Sequence, residues 1–430
     1  MSLMTRKLRD DCFLHDEDRL THAEAVAMLR ERMSPVVGIE QIATEEAAGR
    51  YLAQTVKAPR AIPAHTNAAV DGYAFAFADY DAKKGSTFEV TGRAAAGVAE
   101  DMQLAPGSAA RIFTGATMPK GLETVVMQED VDARERDGVI TITIPPGLKE
   151  GANCRLAGED TKVGDVVLHT GQRLRPQDLA TAAAAGLATL ECFARLTVAI
   201  CSTGDEIIRP GQPLEPGQVY DANAPMLRGL IEATGASCED LGILTDKADV
   251  VEQALRDAAS QFDVVITSGG ASRGEEDHIV NATDRLGRLH MWQIAIKPGR
   301  PMAFGQIDDC VVLGLPGNPV AVFVCFLLYV RPVLVRLAGG DWPEPVRYPL
   351  QAAFSVPKKK TGRREFWRGF LTAGDNGAVA VEKFARDGSG LISSLRAADG
   401  LIEVGEDEAE IKHGQQVSFI PFSQFGISSF

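Results

Sequence analysis

The stretch VVITSGGASRGEEDHIV, Val264–Val280, decides how this chain is read. An apolar, β-prone run closes on Thr267-Ser268-Gly269-Gly270, a third glycine stands at Gly274, and Glu275, Glu276 and Asp277 lead into an apolar-periodic segment. The front has the composition of a buried strand and the back that of a helix start. Between them lies a loop almost bare of side chains, which can bring backbone N–H groups against an anion. An acidic first helical turn suits the helix dipole and accounts for Glu275 and Glu276, but not for three glycines together. Mg2+ reconciles the loop with its carboxylates, because it takes hard oxygen ligands and can bridge a carboxylate to a phosphate.

Outward from this stretch the pattern repeats. LTVAICSTG (196–204) and SCEDLGIL (237–244) read as strands, NAPMLRGLIEATG (223–235) and DVVEQALRDAAS (249–260) as helices. CVVLGLPGNP (310–319) is a strand leading into VAVFVCFLLYV (320–330), eleven apolar residues. Strands alternating with helices of this length predict a doubly wound α/β unit, with ligands beyond the carboxyl ends of the strands. Three such ends carry polar loops: STGDE, TSGGASRGEED and LPGNP. The apolar run is too short to cross a bilayer and is expected to be a core helix.

The flanks differ. THAEAVAMLRERM opens a helix with capping-box spacing at Thr21 and Glu24. IEQIATEEAAGRYLA (39–53) reads as a second helix, after which Pro59 and Pro63 break the pattern. From about Ser86 to Pro145 short strand runs alternate with turn residues, a β-rich insert; PQDLATAAAAGLATLEC (176–192) is helical again. After Trp342, EFWRGFL, AVAVEKF, GLIEVG and QQVSFIPF predict a small C-terminal β-barrel. The expected organisation is a discontinuous linker region (18–56 with 159–192), a β-rich insert (57–158), the α/β unit (193–340) and the barrel (346–430).

The 430 residues are 45% hydrophobic and 24% charged, with a formal charge of −14, which argues against a general nucleic-acid binder. Seven scattered cysteines, none in a CxxC, indicate neither a disulfide framework nor a zinc knuckle and fit a reducing cytoplasm. No secretory leader or membrane span is expected. Asn318-Pro319 is explained equally well by helix capping and by a ligand approaching over Gly317. Lys297 and Arg300, set among Pro298 and Pro301, are candidate fixed cations; PKKKTGRREFWRG (357–369) reads first as a solvated strand edge and second as an anion site.

VDGYAF, RIFTGATMP, AGEDTKVGD, STGDEI, GQVYDAN, VITSGGASRGEED, AIKPGRPMAFG and GLPGNPVAV occur in this order. Together they resemble the molybdopterin molybdenumtransferases, the bacterial MoeA family, which is similar to the C-terminal domain of gephyrin. The resemblance implies a MoaB/MogA-like α/β domain and a reaction. Molybdate enters adenylylated molybdopterin, molybdenum cofactor and AMP leave, and Mg2+ is required. It assigns catalytic roles to Asp71, Thr114, Asp160, Glu206, Asp246, Asp277 and Lys297, with Glu206 and Asp277 on the metal. Substrate-binding roles fall to Ser268, Gly269, Gly270, Ala271, Ser272, Arg300, Pro316, Gly317, Asn318, Arg363 and Ser389. It also implies a homodimer whose sites form between subunits, Asp71, Thr114 and Asp160 coming from the second copy, and a molybdopterin adenylyltransferase as a supplying partner.

Three departures stand out. Gln293 occupies a position where the family often has a lysine, and Arg273 one where an apolar residue is common; Arg300 replaces a frequent lysine, which keeps the charge but changes its geometry. If MWQIAIKPG alternates as a strand, Trp292, Ile294 and Ile296 share the buried face, and Gln293 lies with Lys297. A non-catalytic scaffold and a tungstate-specific paralogue are the competing functional readings. A nicotinamide oxidoreductase is excluded, because AICSTGDEI offers a single glycine after the first strand of the α/β unit.

Overall fold

The computed structural model describes residues 20–97, 102–270, 278–374 and 377–427. Its centre is a six-stranded sheet of β1 (Thr197–Thr203), β2 (Ser237–Leu244), β3 (Val264–Ser268), β4 (Arg288–Gln293), β5 (Pro301–Ile307) and β6 (Cys310–Leu315), in the order β2-β1-β3-β6-β5-β4. The first four positions are parallel; β5 and β4 add antiparallel. All five residues of β3 are buried, as expected where helices cover both faces of a parallel sheet.

Alternate residues of β3 supply the two cores. Val264 and Ile266 pack with α1 (Asn223–Glu232) and α4 (Pro319–Leu337), whereas Val265 packs with α2 (Ala248–Ala259) and α3 (His278–Leu286). The helical spacing of Val251, Leu255 and Ala258 places one face of α2 on the sheet. The expected start of α3 at Glu275–Asp277 lies outside the described residues.

The strand-rich segment forms a second six-stranded sheet from Gly72–Phe75 to Val139–Ile144. The C-terminal strands form a third, closed on itself by pairing of Arg364–Ala373 with both Val379–Lys383 and Gly400–Val404: a small barrel. Ile296–Lys297 joins it, pairing parallel with Arg364-Glu365. Near the N-terminus, His22–Arg32 is a helix with both halves of the Thr21–Glu24 capping box made.

Three expectations are corrected. Ile39–Ala43 is a strand, not a helix, paired with Thr189–Phe193. Gly38 and Gly49 leave room for a short helix at most, which is marginal alone, and the distant partner strand lets Ile42, Leu190 and Cys192 bury together. The pairing also ends the helix expected over 176–192 at Ala184. The apolar run belongs to a helix of 19 residues, long enough to cross a membrane, so its length decides nothing. Its burial does: 89% of its most apolar window lies inside the protein.

Candidate functional site

β1, β3 and β6 end side by side, and their loops frame a cavity of about 810 Å3. The chain leaves β1 toward β2 on one side and returns to β3 on the other, so the cavity lies where strand order reverses, the usual ligand position in such sheets. Gly269 and Gly270 both have positive φ, 95° and 72°. A Cβ on Gly269 would come within 2.9 Å of the Thr203 carbonyl and hydroxyl, so glycine is required there by both conformation and space.

Beneath the loops lies a polar seam that sequence reasoning did not single out. Buried Asp221 accepts from the Ser202 hydroxyl (2.6 Å) and from the Asn223 and Ala224 N–H groups at the start of α1. Arg209 joins it to Asp240. The Asn223 amide donates to Ser268 Oγ and to the Gly317 carbonyl, both at 2.7 Å, which ties the β3 loop to the β6 loop. Its Oδ1 is buried without a hydrogen-bond partner among the described residues. The available signal was the Asp-Ala-Asn before the helical period, a capping pattern within a quoted motif.

Glu206, Asp246, Ser268, Gly269, Gly270, Gly317 and Asn318 line this cavity. The Glu206 carboxylate is exposed and has no partner among the described residues. Asp246 lies 3.7 Å from His278 Nε2, and its N–H donates to Asp205. A second cavity of about 250 Å3 is lined by Lys297, Arg300, Pro316, Asn318, Arg368, Asp387 and Ser389, among others. Asn318 lines both. Its side chain makes no capping hydrogen bond, so capping alone does not account for it. The Ser389 carbonyl accepts from Val320 N–H, which docks the barrel loop on the start of α4.

The basic segment is a solvated edge only in part: Lys358 and Lys360 are exposed, whereas its other charges are built into the protein. Lys359 is buried and donates to the Lys360, Arg363 and Gly405 carbonyls, and burial lowers its pKa. Arg364 pairs with Glu403 and Glu406, Arg363 with Glu365. Buried Arg368 donates to Ser394 Oγ and to the Arg386 and Gly388 carbonyls. The sequence shows the charges but not the distant acceptors that hold them, such as Gly405, Glu403 and Ser394.

The remaining expected residues are placed elsewhere. Thr114 donates to Asp71 Oδ1 through its N–H (2.8 Å) and hydroxyl (2.7 Å), which holds the Asp71 carboxyl below the usual range. Asp71, Thr114 and the exposed Asp160 line neither cavity. Arg363 lines neither and stands behind the smaller one through Glu365. Asp277, Ala271, Ser272 and Arg273 lie outside the described residues. The alternation expected near Gln293 fails: Ile294, Ala295 and Ile296 are all buried, because β4 ends at Gln293 and the chain turns into the barrel. Gln293 is exposed; the Trp292 side chain is outside the description.

Three family models match in tandem: "MoeA N-terminal region (domain I and II)" over 20–186, "Probable molybdopterin binding domain" over 199–336, and "MoeA C-terminal region (domain IV)" over 350–422. A Haemophilus influenzae protein named molybdopterin molybdenumtransferase is 37% identical over 405 residues, 94% of this chain and 99% of the relative. The chain belongs to the molybdopterin molybdenumtransferase family. A second relative, molybdopterin molybdenumtransferase 2 of Mycobacterium tuberculosis, is 33% identical over 92% of this chain and 97% of its own length. Among solved structures, a molybdopterin biosynthesis MoeA protein of Pyrococcus horikoshii OT3 superposes with a TM-score of 0.79 at 29% identity, covering 94% of this chain and all of the other. The molybdenumtransferase family thus covers the α/β unit, the β-rich sheet and the closed barrel in one chain.

Proposed function

We propose that this chain inserts molybdate into adenylylated molybdopterin and releases AMP. The observation that carries the reading is the adjacency of two unlike cavities sharing Asn318: a large one framed by backbone loops and acids, and a small one lined by Lys297, Arg300 and Arg368. The first has the size and N–H character for a pterin nucleotide; the second suits a compact oxyanion. Ser268, Gly269 and Gly270 cradle phosphate or pterin, Gly317 and Pro316 let the substrate approach closely, and Ser389 and Lys297 meet the oxyanion, with Arg363 supporting Lys297 from behind.

Glu206 and Asp246 present carboxylates to the same cavity. Mg2+ keeps several waters and takes one or two carboxylates plus phosphate oxygens, so this donor set fits a phosphate-bridged ion. Among the described residues no cluster of three or more His, Cys, Asp or Glu forms a protein cage. Glu206 would hold the ion, with Asp277 as the second expected ligand; when bound, it supplies charge neutralisation at the leaving phosphate. Asp71, Thr114 and Asp160 act in this reading from a second copy, which makes the enzyme a homodimer. The six described cysteines are free thiols, in keeping with a cytoplasmic setting.

The test follows AMP release from adenylylated molybdopterin, molybdate and Mg2+. Glu206→Gln should lower turnover about a hundredfold or more, the scale of a lost metal ligand, without changing the melting temperature. Mixing Glu206→Gln with Asp71→Asn should restore part of the activity, since a mixed dimer holds one intact site. Full activity of Glu206→Gln, or no AMP from the unaltered protein, defeats the proposal; a failed restoration defeats the shared site.

A further inference from the structure

Glu365 is 3% exposed, a carboxylate buried in the strand Arg364–Ala373 beside Phe366 and Trp367. Its surroundings explain why the position tolerates a charge. Oε1 accepts from Arg363 Nε at 2.9 Å, and Oε2 accepts from the Trp367 indole N–H at 2.8 Å. Lys297, its register partner across the parallel strand pair, stands with Nζ 3.8 Å from Oε2. That separation permits an ion pair but is too long for a hydrogen bond. The Lys297 side chain is 37% exposed and lines the smaller cavity. Lys359, also close to Glu365, is committed to three backbone carbonyls.

We infer that Glu365 is a positioning residue that holds Lys297 loosely at the smaller cavity and sets how tightly that cavity retains an oxyanion. The inference rests on the reading of that cavity given above. With the cavity empty, Glu365 balances the Lys297 charge and fixes Arg363. The Trp367 N–H engages one Oε2 acceptor site and weakens the pull of that oxygen on the ammonium. Lys297 therefore keeps its N–H donors for an entering tetrahedral dianion. The buried carboxylate competes with that dianion for the same cation, so binding is moderated and the oxyanion can be handed on toward the larger cavity across Asn318.

Two substitutions move this balance in opposite directions. Glu365→Gln keeps the shape and an acceptor for Trp367 but removes the competing charge. Inorganic molybdate should bind about fivefold tighter, the scale of one partly screened charge–charge interaction, while kcat for AMP release falls. Trp367→Phe leaves the charge and frees Oε2 to capture Lys297, so molybdate should bind severalfold more weakly. Calorimetric titration of molybdate into each folded variant, with kcat and KM alongside, reads both. Lys297→Ala separates the two levels of the argument. It should weaken molybdate binding about tenfold in the unaltered protein and much less in the Trp367→Phe background, where Lys297 is already engaged.

Unchanged or weaker binding by folded Glu365→Gln overturns the role of Glu365 while leaving the cavity assignment intact. If Glu365→Gln does not fold, the Lys297→Ala penalty in the Trp367→Phe background decides, because a merely structural role leaves that penalty unaltered. No binding by the unaltered protein, or binding indifferent to Lys297→Ala, overturns the cavity assignment and the role of Glu365 together.

Discussion

The two cavities are built on opposite principles. The larger uses mainly backbone: paired glycines at a strand end, a helix start and an exposed Glu206 at the rim, over one buried carboxylate, Asp221. The smaller uses buried charge: Lys359, Glu365, Arg368 and Glu403 are all nearly inaccessible in and around the barrel wall behind it. Backbone N–H groups at a strand end need no counter-charge, so the first design costs little where a ligand is absent. A buried charge must be satisfied at every bond. With Lys359, Glu365, Arg368 and Glu403 buried there against Asp221 under the cleft, the barrel side should accordingly be the more brittle of the two.

The largest effect should come from Arg368→Ala. It strips donors from Ser394 Oγ and from the Arg386 and Gly388 carbonyls, which shape the loop carrying Ser389. Loss of a buried charged donor with several acceptors left behind costs about 3 kcal/mol or more. Denaturant unfolding should show it, with molybdate binding weakened in the same variant. A cost below about 0.5 kcal/mol would break the contrast between the two halves.

A slightly smaller effect should follow pH. His22 is buried against Tyr329 and Phe366, with Nδ1 2.8 Å from the Tyr329 hydroxyl; burial lowers its pKa to about 4, opposed in part by Glu403. The folded value lies below the unfolded one, so the unfolded state takes up a proton first. Stability from this group is whole above about pH 6.5 and is lost as pH falls toward 4, by roughly 3 kcal/mol in total. Unfolding midpoints measured across that window should fall, and His22→Gln should flatten the slope. An unaltered slope would detach His22 from the acid response. Half-buried His290, also lowered to about 4 by its partial burial, contributes in the same direction and remains in that variant.

Gln293→Lys should do least. Gln293 is exposed and lines neither cavity, so its lack of charge leaves the lining of the smaller cavity unaltered. Molybdate affinity should change by less than about twofold, the scale of a screened surface charge. A tenfold gain would move Gln293 into the site and show that the small cavity extends beyond its present lining.

The cleft was legible because its signals are local. A strand end, two glycines and a helix start lie within one short stretch, and each residue type reports its own backbone need. The Asn223 bridge escaped notice because its partners, Ser268 and Gly317, come from two other loops. The expectation of a helix over 39–53 failed for a related reason. Its local composition was helical, but Thr189–Phe193 offered Ile39–Ala43 a partner that no local window contains.

By itself, then, the sequence determined the alternation of strands and helices, the loops at the strand ends and the short alternating strands of the barrel, since periodicity and glycine chemistry act over a few residues. Tertiary structure alone decided which charges are buried and what they face. Lys297 meets Glu365 because Ile296–Lys297 leaves the α/β sheet and takes its register from the barrel. Whether a lysine-rich segment is solvated or structural depends on the dielectric and the acceptors around it, and those are supplied by residues far away along the chain.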